Sequence, residues 1–513
     1  MFQGKPALPS QRYSSVRAGL FTAFLLLFIV CTRWASAPRR LYYFDSANFA
    51  LSLERFDPAL HQPQPPGYPF FVLLIRLIHL WVVRPETVLL IAGIVAAVAA
   101  TILIRFFAID LFGRPAGMLA AALLASNPVF WFGGVTNQIR LFLSLSAIGI
   151  SLLAWRALKT PNDARWFYSA CAALGIAAGF RPVESVLLVP LLLYVWWRTG
   201  RSLSRLAIGA AALFAVVVPW VVATVIAVGG WQSTISILWQ YANEQFSGSS
   251  AVFGAPATSA WFMFKEAFVW NLLGVIAWIW AVPFVIRRAP LGRYTEQAAF
   301  AAIAFFPAFL FSAFIHIGDP DQALASISIL CALGGGVLAA QVRRTNGRAV
   351  SLAVIIIAVN ALLFFEPFNK LSKAASYRTV TAVDRMNTDA LGAIAALRRD
   401  QSIAIVDYGS LVASRHLEYY FPEDYVIVLP GTPAHPIPGQ SLQMFYRHAG
   451  LSALEPATGR MPKHTRRVVC LLSMQSRPSD LPGWRHFGPV FYKDLPNAGT
   501  LQIGPYTLIR DAE

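Results

Sequence analysis

Long apolar runs that hold few charges are the feature that most limits what this chain can become. Eleven are expected to be membrane spans, at about 18–36, 87–108, 115–133, 138–157, 166–180, 183–197, 206–228, 268–286, 297–316, 322–341 and 349–366. A hydrocarbon layer about 30 Å thick takes roughly 20 helical residues to cross. Inside it every backbone N–H and C=O must find a partner within the protein, so helices are the natural solution for runs of this length. The balance of residues agrees: 57% are hydrophobic and 13% charged, with a mean hydropathy of +0.55. Soluble domains carry roughly 25% charged residues. A soluble enzyme, a disordered chain and a disulfide scaffold are all excluded.

The net charge of +17 does not indicate nucleic acid, because the basic residues fall in short clusters between the apolar runs. With the N-terminus inside, the cytoplasmic segments carry Lys5, Arg12 and Arg17, then Arg105 and Arg114, then Arg156, Lys159 and Arg165. Arg198, Arg201 and Arg205 follow, then Arg287, Arg288 and Arg293, then Arg343, Arg344 and Arg348. The outer loops after the first hold only Arg140, Arg181 and Lys265. This alternation places the C-terminal region outside the cytoplasm. The run from Gly19 to Trp34 has no small-residue cleavage site leading to a soluble chain and reads as the first span. Cys31, Cys171 and Cys331 lie in apolar runs and Cys470 stands alone, so neither a disulfide nor a zinc site is expected.

Two parts are expected: a transmembrane module over 1–368, with outer loops at 38–86 and 229–267, and an extracytoplasmic α/β domain over 369–513. The apolar segment from Pro69 to Val83 is too short to cross and reads as a helix at the membrane surface. The second long loop mixes Trp231, Trp239, Tyr241, Phe246, Phe253 and Trp261 with Gly and Ser, as headgroup-level segments do. In the C-terminal part, Ser376 to Asp400 reads as an amphipathic helix. Ser402–Asp407, Tyr425–Leu429 and Val468–Leu472 read as buried strands, and Thr500–Arg510 as a hairpin around Gly504-Pro505.

Chemistry is sought in the first outer loop. Asp45 precedes a helix-like stretch, Ser46 to Phe56, and reads as its N-cap. The same turn can aim a carboxylate at a lipid-borne substrate. The string His61-Gln62-Pro63-Gln64-Pro65-Pro66-Gly67-Tyr68-Pro69 is a stiff loop, since Pro fixes φ and Gly permits a reversal. Further along stand Gln138 and Arg140, then Gly179-Phe180-Arg181-Pro182 before Glu184, and Asp319-Pro320-Asp321-Gln322. Arg181 suits bidentate phosphate binding, or snorkels to water, or pairs with Glu184. Asp319 and Asp321 form a tight turn or line an outer cavity. Tyr68 is an interfacial anchor or a substrate contact.

Four places together resemble the bacterial relatives of protein O-mannosyltransferases and the lipid A aminoarabinose transferases. These are Asp45 with Phe49-Ala50, His61 to Pro69, Leu111-Phe112-Gly113-Arg114 before a span ending at Asn127-Pro128, and Gly179-Phe180-Arg181-Pro182 before Glu184. The resemblance implies a polytopic α-helical membrane protein of the GT-C fold in a bacterial inner membrane. It implies a glycosyltransferase that moves a sugar from a polyprenyl-phosphate donor to a lipid, glycan or protein acceptor, with inversion. Asp45 would be the catalytic base, and His61, Gln64, Tyr68, Gln138, Arg140, Arg181, Glu184, Asp319 and Asp321 would contact donor or acceptor. No cofactor is predicted. A divalent metal stays open, but the second outer loop, Gly133 to Arg140, lacks the acid of many relatives, which speaks against a two-carboxylate site. Ser46 replaces the mannosyltransferases' Glu and Gln64 the aminoarabinose transferases' Lys. Two alternatives remain: a transporter or lipid flippase, and a non-catalytic envelope-assembly protein.

Overall fold

A computed structural model describes residues 9–136, 138–246, 250, 252, 257–288, 294–315, 320–342, 346–367 and 373–398. In the C-terminal region it describes 403–408, 414–429, 431–432, 435–436, 443–448, 451–456, 460–461, 463–472, 481–495, 499–504 and 506–510. The chain divides into two compact units: Met1–Ala37 with Tyr68–Val380, and Pro38–Gly67 with Thr381–Glu513.

In chain order the helices begin with α1 (Pro9–Ser36), α2 (Phe44–Glu54), α3 (Pro69–His79), α4 (Pro85–Phe112), α5 (Arg114–Ser126) and α6 (Pro128–Thr136). Next come α7 (Leu141–Lys159), α8 (Arg165–Phe180), α9 (Pro182–Leu187), α10 (Val189–Arg198), α11 (Leu203–Val228) and α12 (Trp231–Phe246). Then follow α13 (Ala257–Val275), α14 (Val282–Arg288), α15 (Thr295–Phe314), α16 (Leu324–Gln341) and α17 (Asn346–Phe365). The C-terminal region contributes α18 (Tyr377–Arg398) and α19 (Ser414–Tyr420).

Among the described residues, seven helices are long and apolar enough to cross a membrane, and nine if each of two bent pairs is one span. Of the expected runs, 166–180 forms the 16-residue α8, and 183–197 is split into α9 and α10 at Leu188. The run 115–133 is broken between α5 and α6, which meet at 51°. The cause is Asn127-Pro128, because the ring of Pro128 clashes with a helical preceding residue. Asn127 repairs the break: its Oδ1 accepts from the N–H groups of Val129 at 3.0 Å and Phe130 at 3.1 Å, and its Nδ2 donates to the Leu273 carbonyl. α3 is a helix of 11 residues, too short to cross. The second long loop holds α12, whose Trp231 and Trp239 are exposed.

Small residues set the close contact of α5 and α16. A Cβ on Gly335 of α16 would meet the Ala116 carbonyl oxygen of α5 at 2.6 Å and the Ala120 Cβ at 2.7 Å. Where lipid removes the hydrophobic advantage of association, such close approach is a main source of helix pairing.

The second unit centres on a seven-stranded mixed sheet, in the order β6 (Leu451–Pro456), β5 (Gln443–His448), β2 (Tyr425–Val428), β1 (Ile403–Tyr408), β8 (Arg467–Leu472), β10 (Val490–Asp494) and β9 (Arg485–Phe487); the two-residue strands β3 (Gly431–Thr432), β4 (His435–Pro436) and β7 (Arg460–Met461) lie outside it. Its middle is parallel: β1 (Ile403–Tyr408) pairs with β2 (Tyr425–Val428) and with β8 (Arg467–Leu472). The expected strands and the amphipathic helix thus appear, within a residue or two of their expected ends. Ile403 and Ile405 face a layer with Leu391, Ile394 and Leu397 of α18 and Leu417 of α19. Ala404 and Val406 face the opposite layer, with Leu501, Ile503 and Leu508 of the terminal hairpin. The near-continuous apolar run of β1 is what a central strand covered on both faces requires. The hairpin pairs Gly499–Ile503 with Tyr506–Arg510, closing at Ile503 opposite Tyr506.

The segment Pro38–Gly67 is built into this unit by polar bonds. Asp384 Oδ1 accepts from the backbone N–H of Arg39 at 2.6 Å and Arg40 at 3.0 Å. Leu41 donates its N–H to Tyr420 Oη at 3.1 Å, and its carbonyl accepts from Asn387 Nδ2 and bonds His416 Nε2, each at 3.1 Å.

Replacing Gly335 by Val should force α5 and α16 apart and lower the melting temperature of the purified protein; an unchanged melting temperature would refute the contact. A pH dependence follows from Asp424, whose carboxyl lies 3.0 Å from Arg398 Nε. Burial pushes it up to about 6 from an ordinary 3.8, against the pull of Arg398. The folded chain therefore holds a proton that the unfolded chain has lost, and this group's stabilisation, complete below about pH 4, is lost as pH rises through about 6. Asp424→Asn should remove that fall, so thermal unfolding followed across this range should show a flatter pH profile than wild type.

Candidate functional site

In the unit containing Pro38–Gly67, α2 starts earlier than the sequence suggests. Tyr43, in extended conformation, is its N-cap, and its carbonyl accepts from the N–H groups of Ser46 and Ala47. Asp45 is therefore not the cap. It is the second helical residue, half-buried in the first turn, where a negative charge complements the helix dipole. The backbone supplies the turn at Tyr43, so the carboxylate need not close it.

After α2 the chain closes twice. Asp57 and Gln62 exchange backbone hydrogen bonds, of 2.6 and 2.9 Å, around a 3-10 turn, Pro58–Leu60. Asp57 Oδ1 caps that turn through the Ala59 N–H, and its Oδ2 pairs with Arg55 at 2.7 Å. Gly67 then donates its N–H to the Gln64 carbonyl at 3.0 Å. His61 is left-handed at φ 55°, and Tyr68, in the other unit, at φ 46°. For residues with a Cβ this conformation is strained and must be held by the surroundings. Gln64 is buried, and its Oε1 has no hydrogen-bond partner among the described residues.

In the unit containing the spans, two of the motifs meet. Phe70 lies against Gly179, so closely that a methyl group there would overlap its ring. It also packs edge-on to Phe180, which stacks on Phe142 at 4.3 Å between ring centroids. The Arg181 guanidinium sits 5.8 Å from the centre of the Tyr68 ring. Both Tyr68 and Arg181 precede a proline that starts a helix, Pro69 for α3 and Pro182 for α9. The proline fixes each junction, and the aromatic packing brings the two junctions together.

Gln138 and Arg140 are both buried, at the two ends of the 3-10 turn before α7. Gln138 Nε2 donates to the Val135 carbonyl at 3.1 Å, and its stem fills the space beside Gly93 of α4. Asp319 and the side chains of Glu184 and Asp321 lie outside the described residues. Among the described residues, no group of three His, Cys, Asp or Glu side chains converges as a metal site would.

Nothing in the sequence pattern singles out Arg33, which is fully buried in the last turn of α1. Its Nη2 donates to the Ala125 carbonyl at 2.6 Å, and its guanidinium lies 4.7 Å from the Trp131 ring centre. Trp131 in turn donates to Ser36 Oγ and stacks on Phe364. Arg33 thus satisfies a carbonyl left open at the α5–α6 break, and aromatic faces take up part of its charge. Asn48 and Arg415 were also missed; each is an isolated polar residue without a local pattern.

Gly179→Ala should displace Phe70 and destabilise the protein by about 1–3 kcal/mol, the usual range for overpacking. Denaturant titration in detergent reads this; wild-type stability would show that the two motifs are not in contact.

Residues 62–227 match the family model for dolichyl-phosphate-mannose-protein mannosyltransferase. That segment holds the Pro-Pro-Gly-Tyr-Pro string, the Asn127-Pro128 break and the Gly179–Pro182 motif, whereas Asp45 and His61 precede it. Among solved structures the chain is similar to ArnT from Cupriavidus metallidurans bound to undecaprenyl phosphate. The identity is 15% over 79% of this chain and 85% of that one, with a TM-score of 0.53. The apo state of the same protein gives 14% identity, the same coverage and the same TM-score. Comparison of the sequence with curated proteins finds no match. In fold, this chain is a polytopic helical membrane protein of the GT-C type with a C-terminal α/β region, and residues 62–227 carry the sequence likeness to the mannosyltransferases.

Proposed function

We propose that this protein is a membrane glycosyltransferase that takes a sugar from a polyprenyl-phosphate donor at the outer face of a bacterial inner membrane. The N-terminus lies in the cytoplasm and the C-terminal domain outside; the clusters of arginine between the apolar runs support this orientation. The acceptor is a lipid, a glycan or a protein. The observation that carries the reading is the match of residues 62–227 to a family named for a lipid-phosphate sugar donor. The fold shared with ArnT, whose structure holds undecaprenyl phosphate, supports it.

The chemistry needs one base and a stabilised leaving group. An acceptor hydroxyl or amine attacks C1 of the sugar from the face opposite the phosphate. The C1–O bond breaks, its electron pair leaves with the polyprenyl phosphate, and the acceptor's proton passes to the Asp45 carboxylate. The configuration at C1 inverts in this single displacement. Arg181, half-buried beside Tyr68, offers the guanidinium that a departing phosphate needs. His61 and Gln64 belong to the same compact unit as Asp45, and the open Oε1 of Gln64 suits a sugar hydroxyl as donor.

Asp45→Asn keeps the shape of the side chain and removes the base. Transfer from radiolabelled polyprenyl-phosphate sugars by purified protein in lipid vesicles should fall by at least about 100-fold, with folded protein retained. Wild-type transfer by the variant would take Asp45 out of the reaction.

A further inference from the structure

We propose that Arg415 is the positioning residue of the first outer segment: its guanidinium ties the helix that carries Asp45 to the turn that carries His61, so the C-terminal domain sets the aim of the base. This inference rests on the reading of Asp45 given above.

Arg415 is the second residue of α19 and is 1% exposed. Its Nε donates to Asn48 Oδ1 at 2.8 Å. Its Nη2 donates to the carbonyls of Leu60 and of His61, the latter at 2.9 Å. Its Nη1 pairs with the buried Glu418 of the same helix. Asn48 lies three residues after Asp45, about one helical turn further along α2. Leu60 and His61 end the 3-10 turn, and His61 is the residue held at φ 55°.

A guanidinium is a rigid planar fork with five donors, so it fixes both the distance and the angle between the groups it joins. A lysine in the same place offers one point charge and cannot span Asn48 and the two carbonyls with fixed geometry. A residue needed only to fill space would be an apolar side chain, which buries at lower cost than an ion pair. Here one cation is desolvated, and three of its contacts go to two separate pieces of the outer segment. The start of that segment is fixed independently, by Asp384, Asn387, His416 and Tyr420 on Arg39 to Leu41. Arg415 therefore controls what those anchors leave free, the rotation of α2 relative to the Leu60–His61 turn.

The test uses full-length protein in lipid vesicles. Arg415→Lys and Arg415→Ala should lower kcat per folded molecule by about 100-fold, the cost of misplacing a reacting group by about 1 Å. The donor KM should stay near its wild-type value, because the lost contacts act on the base and not on the bound donor. Guanidinium added at a non-denaturing concentration should restore part of the Arg415→Ala turnover and leave wild type unchanged. Wild-type kcat in either variant, or a loss confined to KM, overturns the proposal. If Arg415→Ala does not accumulate folded, Asn48→Ala carries the same decision, since it removes one acceptor and keeps the Arg415–Glu418 pair. If wild-type protein transfers sugar from no polyprenyl-phosphate donor, the catalytic reading falls, and amide hydrogen exchange decides the positioning claim separately. Faster exchange confined to residues 44–62 in Arg415→Ala supports it; unchanged or uniformly faster exchange overturns it.

Discussion

A helix that stops inside an apolar layer leaves carbonyls and N–H groups that only the rest of the chain can satisfy. That constraint organises the spans here. At Asn127-Pro128 the helix ends, Asn127 caps the next one, and Arg33 reaches from α1 to the buried Ala125 carbonyl. Trp131 lies over Arg33, and Phe364 stacks on Trp131. The contacts around this proline break thus join α1, α5, α6 and α17. The junctions at Pro69 and Pro182 follow the same logic, with Phe70, Phe142 and Phe180 as the packing that joins them.

The parts of this architecture that depend on periodicity are legible in the sequence. Apolar runs mark the long apolar helices. Ser402–Asp407 and Val468–Leu472 read as strands because both faces of a central strand are apolar, and Gly504 marks the hairpin. Helix breaks are half legible: Asn127-Pro128 is visible as a motif, but the bend of 51° and the role of Arg33 are not. The start of α2 is misjudged at Asp45 because an aspartate before a helical stretch is a strong cap signal, and nothing local says that the Tyr43 backbone makes the turn instead.

What no local pattern announces is contact across long sequence separations. Arg415 and Asn48 are 367 residues apart, and Asp384 and Arg39 are 345 apart. Each is a single polar residue whose meaning depends on its distant partner. The sequence boundary drawn at 368 reflects where hydropathy changes, whereas compactness groups Pro38–Gly67 with the residues from Thr381 onward. Composition reports solvent, and folding units report contacts, so the two criteria part wherever a short loop is claimed by a distant domain.

The same distance explains the strain in the loop. Left to its own preferences, a segment between α2 and α3 would put neither His61 nor Tyr68 in the left-handed region, where a side chain with a Cβ is disfavoured. Holding His61 there requires bonds that the alternative conformations would lose. Its own carbonyl, and that of Leu60, are held by Arg415, and the exchange between Asp57 and Gln62 closes the turn from the other side. The displacement proposed for Asp45 gains its rate from alignment, not from a covalent intermediate, so a loop whose geometry is over-determined serves it better than a relaxed one. The fully buried position of Arg415 then has a physical reason: solvent at that guanidinium would compete for the carbonyls that keep His61 in place.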